Sequence, residues 1–303
     1  MNIAVLGSGG REHAIAWKLQ QNGDKIFCLP GNGGTQNNVD IDPNDFKKIK
    51  EFCRKEQIEM IFVGPETPLA NGIVDYFQEY DIKVFGPSEQ AAKLESSKIF
   101  AKNFMKKYNI ATADFHTTNS KQEAYRVVKR MNGKCVLKYD GLAGGKGVYV
   151  CSNVEEATRA IDGLFSKYGV NTNLLIEEIL KGQELSILAF TDGQNYQLLL
   201  PSQDHKQLKE GDRGPNTGGM GAYCPVPFYN EELKKQIEKS IIKPTMYGIQ
   251  KENFYYHGVL YFGLMITKNG PKILEFNVRL GDPETEVVLP ALNSNLKELV
   301  LAC

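Results

Sequence analysis

The sequence predicts an α/β N-terminal domain built on a parallel sheet, followed by an α+β domain carrying a small lid. Three observations predict this. Short apolar strands alternate with amphipathic helices over residues 1–95. Two strands near the middle of the chain are joined by a glycine-rich loop. Long strands then lie close together, with hairpin turns such as Asp192-Gly193 and Asn269-Gly270. The chain has 303 residues, enough for two domains, or three counting a lid.

The elements follow in order. Ile3–Leu6, Ile26–Leu29, Met60–Val63 and Ile82–Phe85 are short apolar runs that suit a parallel sheet covered on both faces. Between them, Ala14, Ile15 and Leu19 fall on one face of a helix over Arg11–Gln21. Phe46, Ile49 and Cys53 do the same over Asp45–Glu56, and a third helix is predicted from Leu69 to Tyr80. A helix striped by Ile99, Phe100, Phe104 and Tyr108 opens the second domain, residues 96–303. Cys135–Tyr139, Val148–Cys151, a helix over Glu155–Tyr168 and the strand Leu174–Ile179 make a lid at about 112–180. The rest reads as an antiparallel sheet of Glu184–Phe190, Tyr196–Pro201, Gly258–Thr267 and Lys272–Leu280, interrupted by the glycine-dense segment Leu208–Ala222.

Hydrophobic residues make up 42% and charged residues 24% of the chain, with a formal net charge of zero. That balance builds a sizeable core and argues against a nucleic-acid partner, which needs clustered excess lysine and arginine. Six scattered cysteines form no C-x-x-C pair and read as reduced buried thiols. The chain enters a strand at Asn2 without a basic, then apolar, leader, and no apolar run is long enough to span a bilayer. The expectation is a cytoplasmic protein without a membrane partner.

Gly7-Ser8-Gly9-Gly10-Arg11-Glu12 follows a strand and opens a helix, the context of a dinucleotide fingerprint. Glu12 stands where the third glycine belongs, and no ribose-binding acid ends the second strand, which argues against redox use of NAD. Taken alone, the loop fits a tight turn as well as a phosphate site on a helix N-terminus. Asn32-Gly33-Gly34-Thr35 and Gly64-Pro65-Glu66 also lie just after strands, the edge where open parallel sheets gather ligands, and three such loops favour a phosphosugar.

The second loop, Asp140 to Val148, contains Gly141, Gly144, Gly145, Lys146 and Gly147. It is not a P-loop, because Gly147 follows the lysine where Ser or Thr is required. A glycine flap with one lysine can still fold over a triphosphate through its backbone N–H groups. Lys138 precedes it on an apolar strand. Lys98 and Lys102 share one helix face, a spacing that by itself suits a solvated face. In Ile273–Leu280 apolar and polar residues alternate strictly, so Glu275, Asn277 and Arg279 face one way. A carboxylate and an amide oxygen there suit Mg²⁺ beside substrate phosphates, and the arginine can neutralise a transferred phosphoryl group. Gly281-Asp282-Pro283-Glu284 adds carboxylates at the same end. Together these features suit ATP-dependent activation of a carboxylate.

These segments resemble the ATP-grasp superfamily and, within it, the glycinamide ribonucleotide synthetase (phosphoribosylamine–glycine ligase) family. The resemblance runs from Gly7–His13 through Gly64-Pro65-Glu66, Ser97-Lys98, Lys138–Val148 and Gly214–Ala222 to Glu275–Glu284. It implies a pre-ATP-grasp, Rossmann-like N-terminal domain and an ATP-grasp domain with its lid subdomain. It also implies a ligase joining glycine to 5-phosphoribosylamine through a glycyl phosphate, with ATP and Mg²⁺ (Mn²⁺ as an alternative), in de novo purine synthesis. Carried over by position, Lys98, Lys138, the Gly141–Gly147 loop, the hinge Glu177-Glu178-Ile179-Leu180 and Glu184 would hold ATP. Glu275 and Asn277 would hold the metal and Arg279 would face the acyl phosphate. Asp212, Asn216, Thr217 and Asp282 would lie beside glycine or the amine, and Gly9, Gly10, Arg11 and Glu66 would hold the phosphosugar, with His13 in an orienting role.

Three departures qualify the resemblance. Arg213 stands where the family usually carries threonine. Tyr261 occupies the neighbouring-strand position of a second acidic metal ligand. The family's further C-terminal domain is expected to be missing after Cys303, which leaves a monomer or weak homodimer and puts turnover by this length of chain in question. The rival readings are another ATP-grasp ligase, a biotin-dependent carboxylase or a catalytically dead nucleotide-binding module. The Pro215–Ala222 segment argues against the first two, and intact Lys138, Glu275, Asn277 and Arg279 argue against the third.

Overall fold

A computed structural model describes residues 1–143, 147–211 and 213–303, apart from the side chains of Pro215 and Asn216. The N-terminal part holds β1 (Asn2–Gly7), α1 (Gly10–Gln20), β2 (Lys25–Pro30), α2 (Phe46–Glu56), β3 (Met60–Val63), α3 (Glu66–Ala70), α4 (Ile73–Phe77), β4 (Lys83–Pro87) and α5 (Glu89–Ser96). Its four strands are parallel, in the order β4-β3-β1-β2. The single helix expected from Leu69 to Tyr80 is instead two short ones. They break at Asn71-Gly72, where Gly72 has a φ of +80° that a side chain rarely tolerates.

Next come α6 (Lys98–Lys107), β5 (Phe115–Thr118), α7 (Lys121–Arg130), β6 (Cys135–Tyr139), β7 (Val148–Cys151), α8 (Val154–Tyr168) and β8 (Leu174–Glu177). The four strands form a separate antiparallel sheet, β5-β8-β6-β7. Ser120 and Asn153 cap α7 and α8 by accepting N–H groups of Glu123 and Glu156. The two helices bury Ala124, Val127, Ile161 and Leu164 with Leu137 and Ile176 in a small core of their own. An independent core makes this lid a unit that can move as one piece.

The remainder holds β9 (Gly182–Thr191), β10 (Tyr196–Leu198), β11 (Gln203–Asp204), β12 (Gln207–Lys209), β13 (Arg213–Asn216), β14 (Ala222–Tyr223), α9 (Glu231–Ile237), α10 (Lys243–Lys251), β15 (Tyr256–Thr267), β16 (Gly270–Asn277), α11 (Thr285–Val288) and α12 (Leu296–Ala302). Strand β15 welds the domains together. Its first residues pair with β4, Tyr256 with Pro87 and His257 with Gly86, and its body pairs with β9 on one side and β16 on the other. The parallel and antiparallel sheets are therefore one eight-stranded sheet, a continuity that periodicity does not carry. The register of β15 and β16 shifts between Gly263 and Leu264, so Leu274 is an extra residue on β16. The strict alternation expected over Ile273–Leu280 is broken there, and the strand ends at Asn277. From Glu275 onward the expected facing holds: Phe276, Val278 and Leu280 are buried, while Glu275, Asn277 and Arg279 line a cavity.

Candidate active site

The cavity has a volume of about 780 Å³ and lies between the lid sheet, α6 and the β15–β16 hairpin. That is the upper range for a site enclosing a small molecule. Lys98 opens α6 just after Ser97, whose hydroxyl caps the helix by accepting the Phe100 N–H. Asp140, at the start of the flap, accepts both the Ser97 hydroxyl and the Ile99 N–H at 3.0 Å, and Lys98 Nζ donates to the Gly141 carbonyl at 2.9 Å. The flap is thus docked on the N-terminus of α6. Gly141, at φ +155°, has the Tyr139 ring 2.6 Å from where a Cβ would sit, so a side chain there would have to displace the ring. Burial pushes Lys98 below its ordinary value, with Glu275 opposing that shift. Gly144, Gly145 and Lys146 lie outside the described residues.

Lys138 lies on β6 and its ammonium is buried. Nζ is 2.6 Å from Glu177 Oε2 and donates to the Leu274 carbonyl at 3.2 Å. The bulge at Leu274 supplies that acceptor. The other Glu177 oxygen pairs with Lys102, which is 2% exposed. Lys102 therefore belongs to a buried Lys102–Glu177–Lys138 bridge, and the solvated face suggested by its spacing from Lys98 is excluded. One carboxylate shared by two lysines leaves a net positive charge, which suits a polyphosphate. Glu177 ends β8, and Glu178, Ile179 and Leu180 carry the chain from the lid to β9 along the cavity wall. Glu178 is fixed by Lys272 at 2.7 Å and by the Asp114 N–H at 3.1 Å. Glu184, on β9, also lines the cavity.

Opposite these lysines stand Glu275, Asn277 and Arg279. Burial acts to raise the Glu275 carboxyl, but Lys206, Lys138, Lys98 and Arg279 outweigh it and hold the group at about 2. Tyr261 is the register partner of Asn277, and its hydroxyl bonds to Ser186 and to Glu284 Oε1 at 3.0 Å. Among the described residues, no three or more His, Cys, Asp or Glu side chains are arranged for a metal. Glu275 and Asn277 together offer one carboxylate and one amide oxygen. That fits Mg²⁺, which completes its shell with phosphate oxygens and water.

Arg279 is clamped by two carboxylates of the N-terminal domain. Nη2 is 2.9 Å from Glu95 Oε1, and Nε is 3.4 Å from Glu66 Oε2. Burial works against its charge, yet Glu95 and Glu66 keep it above even the usual arginine range. Glu66 opens α3 beyond β3, at the carboxyl edge of the parallel sheet. There the Gly31 and Gly64 N–H groups bond to the Gly7 and Leu6 carbonyls, and Asn32 Nδ2 donates to the Ser8 and Gly9 carbonyls. The three N-terminal loops therefore converge.

Within those loops Arg11 is buried and turned inward, with Nε on Glu12 Oε1 at 2.6 Å and Nη1 on the Leu280 carbonyl at 3.3 Å. The Gly9 N–H donates to Glu12 Oε2 at 2.6 Å. Glu12 fills the space beside Gly7 and Gly64, which is why an acid replaces the fingerprint's third glycine. Gly9 faces the carboxylate of Asp282, and Gly10 that of Glu286. Burial and Asp282 push Glu286 up to about 7.

Three residues in or beside the cavity, Glu95, Lys206 and Asp204, escape a reading of motifs. Glu95 sits on the apolar face of α5, among buried Ala91, Ala92 and Leu94. A charge at core spacing is its only signal. Lys206 Nζ lies 3.6 Å from both Glu184 Oε2 and Glu275 Oε1. Burial opposes its charge, but Tyr261, Glu275 and Glu184 raise it well above the ordinary lysine value. Asp204 and Glu284 stand nearby, and burial together with Glu284 pushes Asp204 up to about 7. Of the expected substrate residues, Thr217 lines the cavity, but its hydroxyl and N–H both donate to the Lys206 carbonyl, at 2.9 and 2.6 Å. Asp282 lines the cavity too. Asp212 and the Asn216 side chain fall outside what is described.

Comparison with known proteins places the chain in a family. Residues 1–95 match the model of the phosphoribosylglycinamide synthetase N domain, and residues 96–285 match that of its ATP-grasp (A) domain. Over 312 residues the chain is 46% identical to the phosphoribosylamine–glycine ligase of Clostridium acetobutylicum, covering 100% of this chain and 74% of the relative. It is 44% identical to that of Rhodopirellula baltica, covering 99% and 72%. The trifunctional purine biosynthetic protein adenosine-3 of Bos taurus is 46% identical, but the chain spans only 31% of it. A crystal structure of phosphoribosylamine–glycine ligase from Thermotoga maritima superposes with a TM-score of 0.84 at 40% identity, over 97% of this chain and 72% of the other. Biotin carboxylase from Campylobacter jejuni, at 17% identity and a TM-score of 0.74, shares the fold. No helix among the described residues is long and apolar enough to cross a membrane. The chain belongs to the phosphoribosylglycinamide synthetase family.

Proposed function

We propose that this chain joins glycine to 5-phosphoribosylamine at the expense of ATP, giving glycinamide ribonucleotide, ADP and phosphate. One observation carries the reading. Glu275, Asn277 and Arg279 line one cavity together with the buried lysines Lys98 and Lys138, and Lys138 bonds the carbonyl of Leu274, the residue before Glu275. The relatives' printed names support the choice of substrates. Residues 1–95 form the phosphosugar domain in this reading, residues 96–303 the ATP-grasp domain, and 112–180 its lid.

A carboxylate resists attack because its leaving group would be oxide. Transfer of the γ-phosphoryl group to a glycine carboxylate oxygen gives a glycyl phosphate, from which phosphate departs when the amine nitrogen bonds to the carbonyl carbon. Lys98, Lys138 and the Gly141–Gly147 flap hold the ATP phosphates, the backbone of Glu178–Leu180 faces the base, and Glu184 faces the ribose. Glu275 and Asn277 would hold Mg²⁺, which would supply neutralisation of phosphate charge. Arg279, fixed by Glu95 and Glu66, neutralises the phosphoryl group as it transfers, and Lys206 adds a second positive charge there. The work of the residues is positioning and charge stabilisation. The lid excludes water from the acyl phosphate. Asp282, together with Asp212, Asn216 and Thr217, forms the glycine and amine side. Gly9 and Gly10 border the phosphosugar, with Arg11 holding their loop.

The test is ADP release measured with glycine alone, with phosphoribosylamine alone and with both. Release that requires both supports the reading. ATP binding without release under any of the three conditions refutes it for this chain, and equal turnover with larger amino acids refutes the choice of glycine.

A further inference from the structure

We infer that Asp204 is the anchor for a substrate amino group, an inference that rests on the ligase reading. Asp204 ends the short strand β11 and is 8% exposed. Its Oδ1 is fully buried without a hydrogen-bond partner among the described residues. It is wedged beside Gly219: a Cβ there would sit 3.1 Å from Oδ1 and 2.4 Å from Pro283 Cδ. A buried carboxylate without a donor is costly, and a fold keeps one where a ligand completes it.

The surroundings select the ligand. Glu284, Glu184 and Asp282 add negative charge around Asp204, and Lys206 is the positive group among them. An anion is therefore disfavoured, and a donor of N–H bonds is what this corner lacks. Asp204 is two residues from Lys206, which sits beside Glu275, and Gly219 links it to Pro283, the neighbour of Asp282, which reaches the N-terminal loops at Gly9. Both amino groups of the reaction must come to that part of the cavity. Asp204 and Lys206 stand two residues apart and both line the cavity. This pair of opposite charges matches a short zwitterion, with its carboxylate toward Lys206 and its ammonium toward Asp204. The amino acid is therefore the favoured source of the amino group, and the ribosylamine is the other.

The experiment uses the full chain at pH 8 with Mg²⁺ and a non-hydrolysable ATP analogue. Calorimetry compares glycine with glycolate, which carries a hydroxyl in place of the ammonium. The wild type is expected to prefer glycine by about tenfold to a hundredfold, the worth of one charge-assisted hydrogen bond. Asp204→Asn, which keeps the shape, is expected to erase that preference and leave the KM for ribosylamine unchanged. A preference that survives the substitution, with a tenfold or larger rise in the KM for ribosylamine, supports the amino-group anchor with the second source. Unchanged preference and unchanged KM overturn the assignment, whatever happens to stability. Equal wild-type affinity for glycine and glycolate, with D204N leaving the KM for ribosylamine unchanged, also overturns it. Failure of the wild type to release ADP with both substrates overturns the ligase reading instead, so the two failures are distinguishable.

Discussion

Arg279 and Glu95 form a buried pair, with Nη2 2.9 Å from Oε1, while the second Glu95 oxygen accepts the Val278 N–H at 2.7 Å. The carboxylate fixes both the guanidinium and the backbone that carries it. Glu95→Gln keeps the shape and removes the charge, leaving Arg279 to Glu66 alone. Because an ångström of misplacement costs about a hundredfold in rate, kcat is expected to fall by about that factor while the KM for ATP changes little. Glu95→Ala, which removes the closer of the arginine's two carboxylate partners and the acceptor of the Val278 N–H, is expected to cost about 3–5 kcal/mol of stability. Steady-state ADP release and chemical unfolding check the two.

Lys206 tests a different part of the site. It sits between Glu184 and Glu275, 3.6 Å from each, where the proposed reaction would build up charge as phosphate moves. Lys206→Met is expected to lower kcat by about 10²–10³, the effect of losing one preorganised donor at a developing charge. Nucleotide affinity, which the proposed function assigns to Lys98 and Lys138, is expected to stay within a few-fold. A matching loss in ATP-analogue binding by calorimetry would instead make Lys206 a ground-state ligand.

Much of this arrangement is legible in the sequence because its signals are local. The strand–glycine–helix rhythm places β1 to β4, and Glu275, Asn277 and Arg279 face the cavity because the period of two survives from Glu275 onward. The lost information is non-local. The bulge at Leu274 depends on register with Gly263 and Leu264. Lys102 reads as a surface lysine because its partner, Glu177, lies on a strand of the lid. Arg11 reads as a phosphate ligand because nothing in its neighbourhood announces that Leu280, more than 250 residues away, takes its guanidinium. Burial turns such residues into partners, and burial is decided by packing.

Metal dependence is expected if Glu275 and Asn277 hold Mg²⁺ as proposed. Chelation with EDTA is expected to abolish ADP release, and Mg²⁺ or Mn²⁺ to restore it. Glu275→Gln removes the carboxylate of the two-residue offer and is expected to raise the Mg²⁺ needed for half-maximal release by about tenfold or more. Lysines and Arg279 overcome burial to hold the Glu275 carboxyl at about 2, below its ordinary value. It therefore stays charged at every pH above that. Titrations of Mg²⁺ between pH 6 and 8 should show the same requirement in the wild type. A requirement that climbs as pH falls toward 6 would mean that another group governs the metal.

Asp204 carries the opposite shift, and the sign of its contribution reverses with it. Burial and Glu284 raise its carboxyl to about 7, above the unfolded value near 4. Between those values the folded state holds a proton that the unfolded state has lost. Stability from this group is therefore greatest below pH 4, declines as pH rises toward 7, and is level above that. Asp204→Asn mimics the protonated form at every pH. It is expected to leave Tm near pH 4 unchanged and to raise it at pH 8, by roughly 2–4 °C for each kcal/mol recovered. Thermal melts at the two values check this, and an equal shift at both would show that the carboxylate charge is not the cause. Stabilisation of the same variant that loses glycine selectivity is the pattern of a site held in strain for its ligand. Saturating glycine should then narrow the Tm gap at pH 8 from the wild-type side, because only the native carboxylate gains a partner when the amino group arrives.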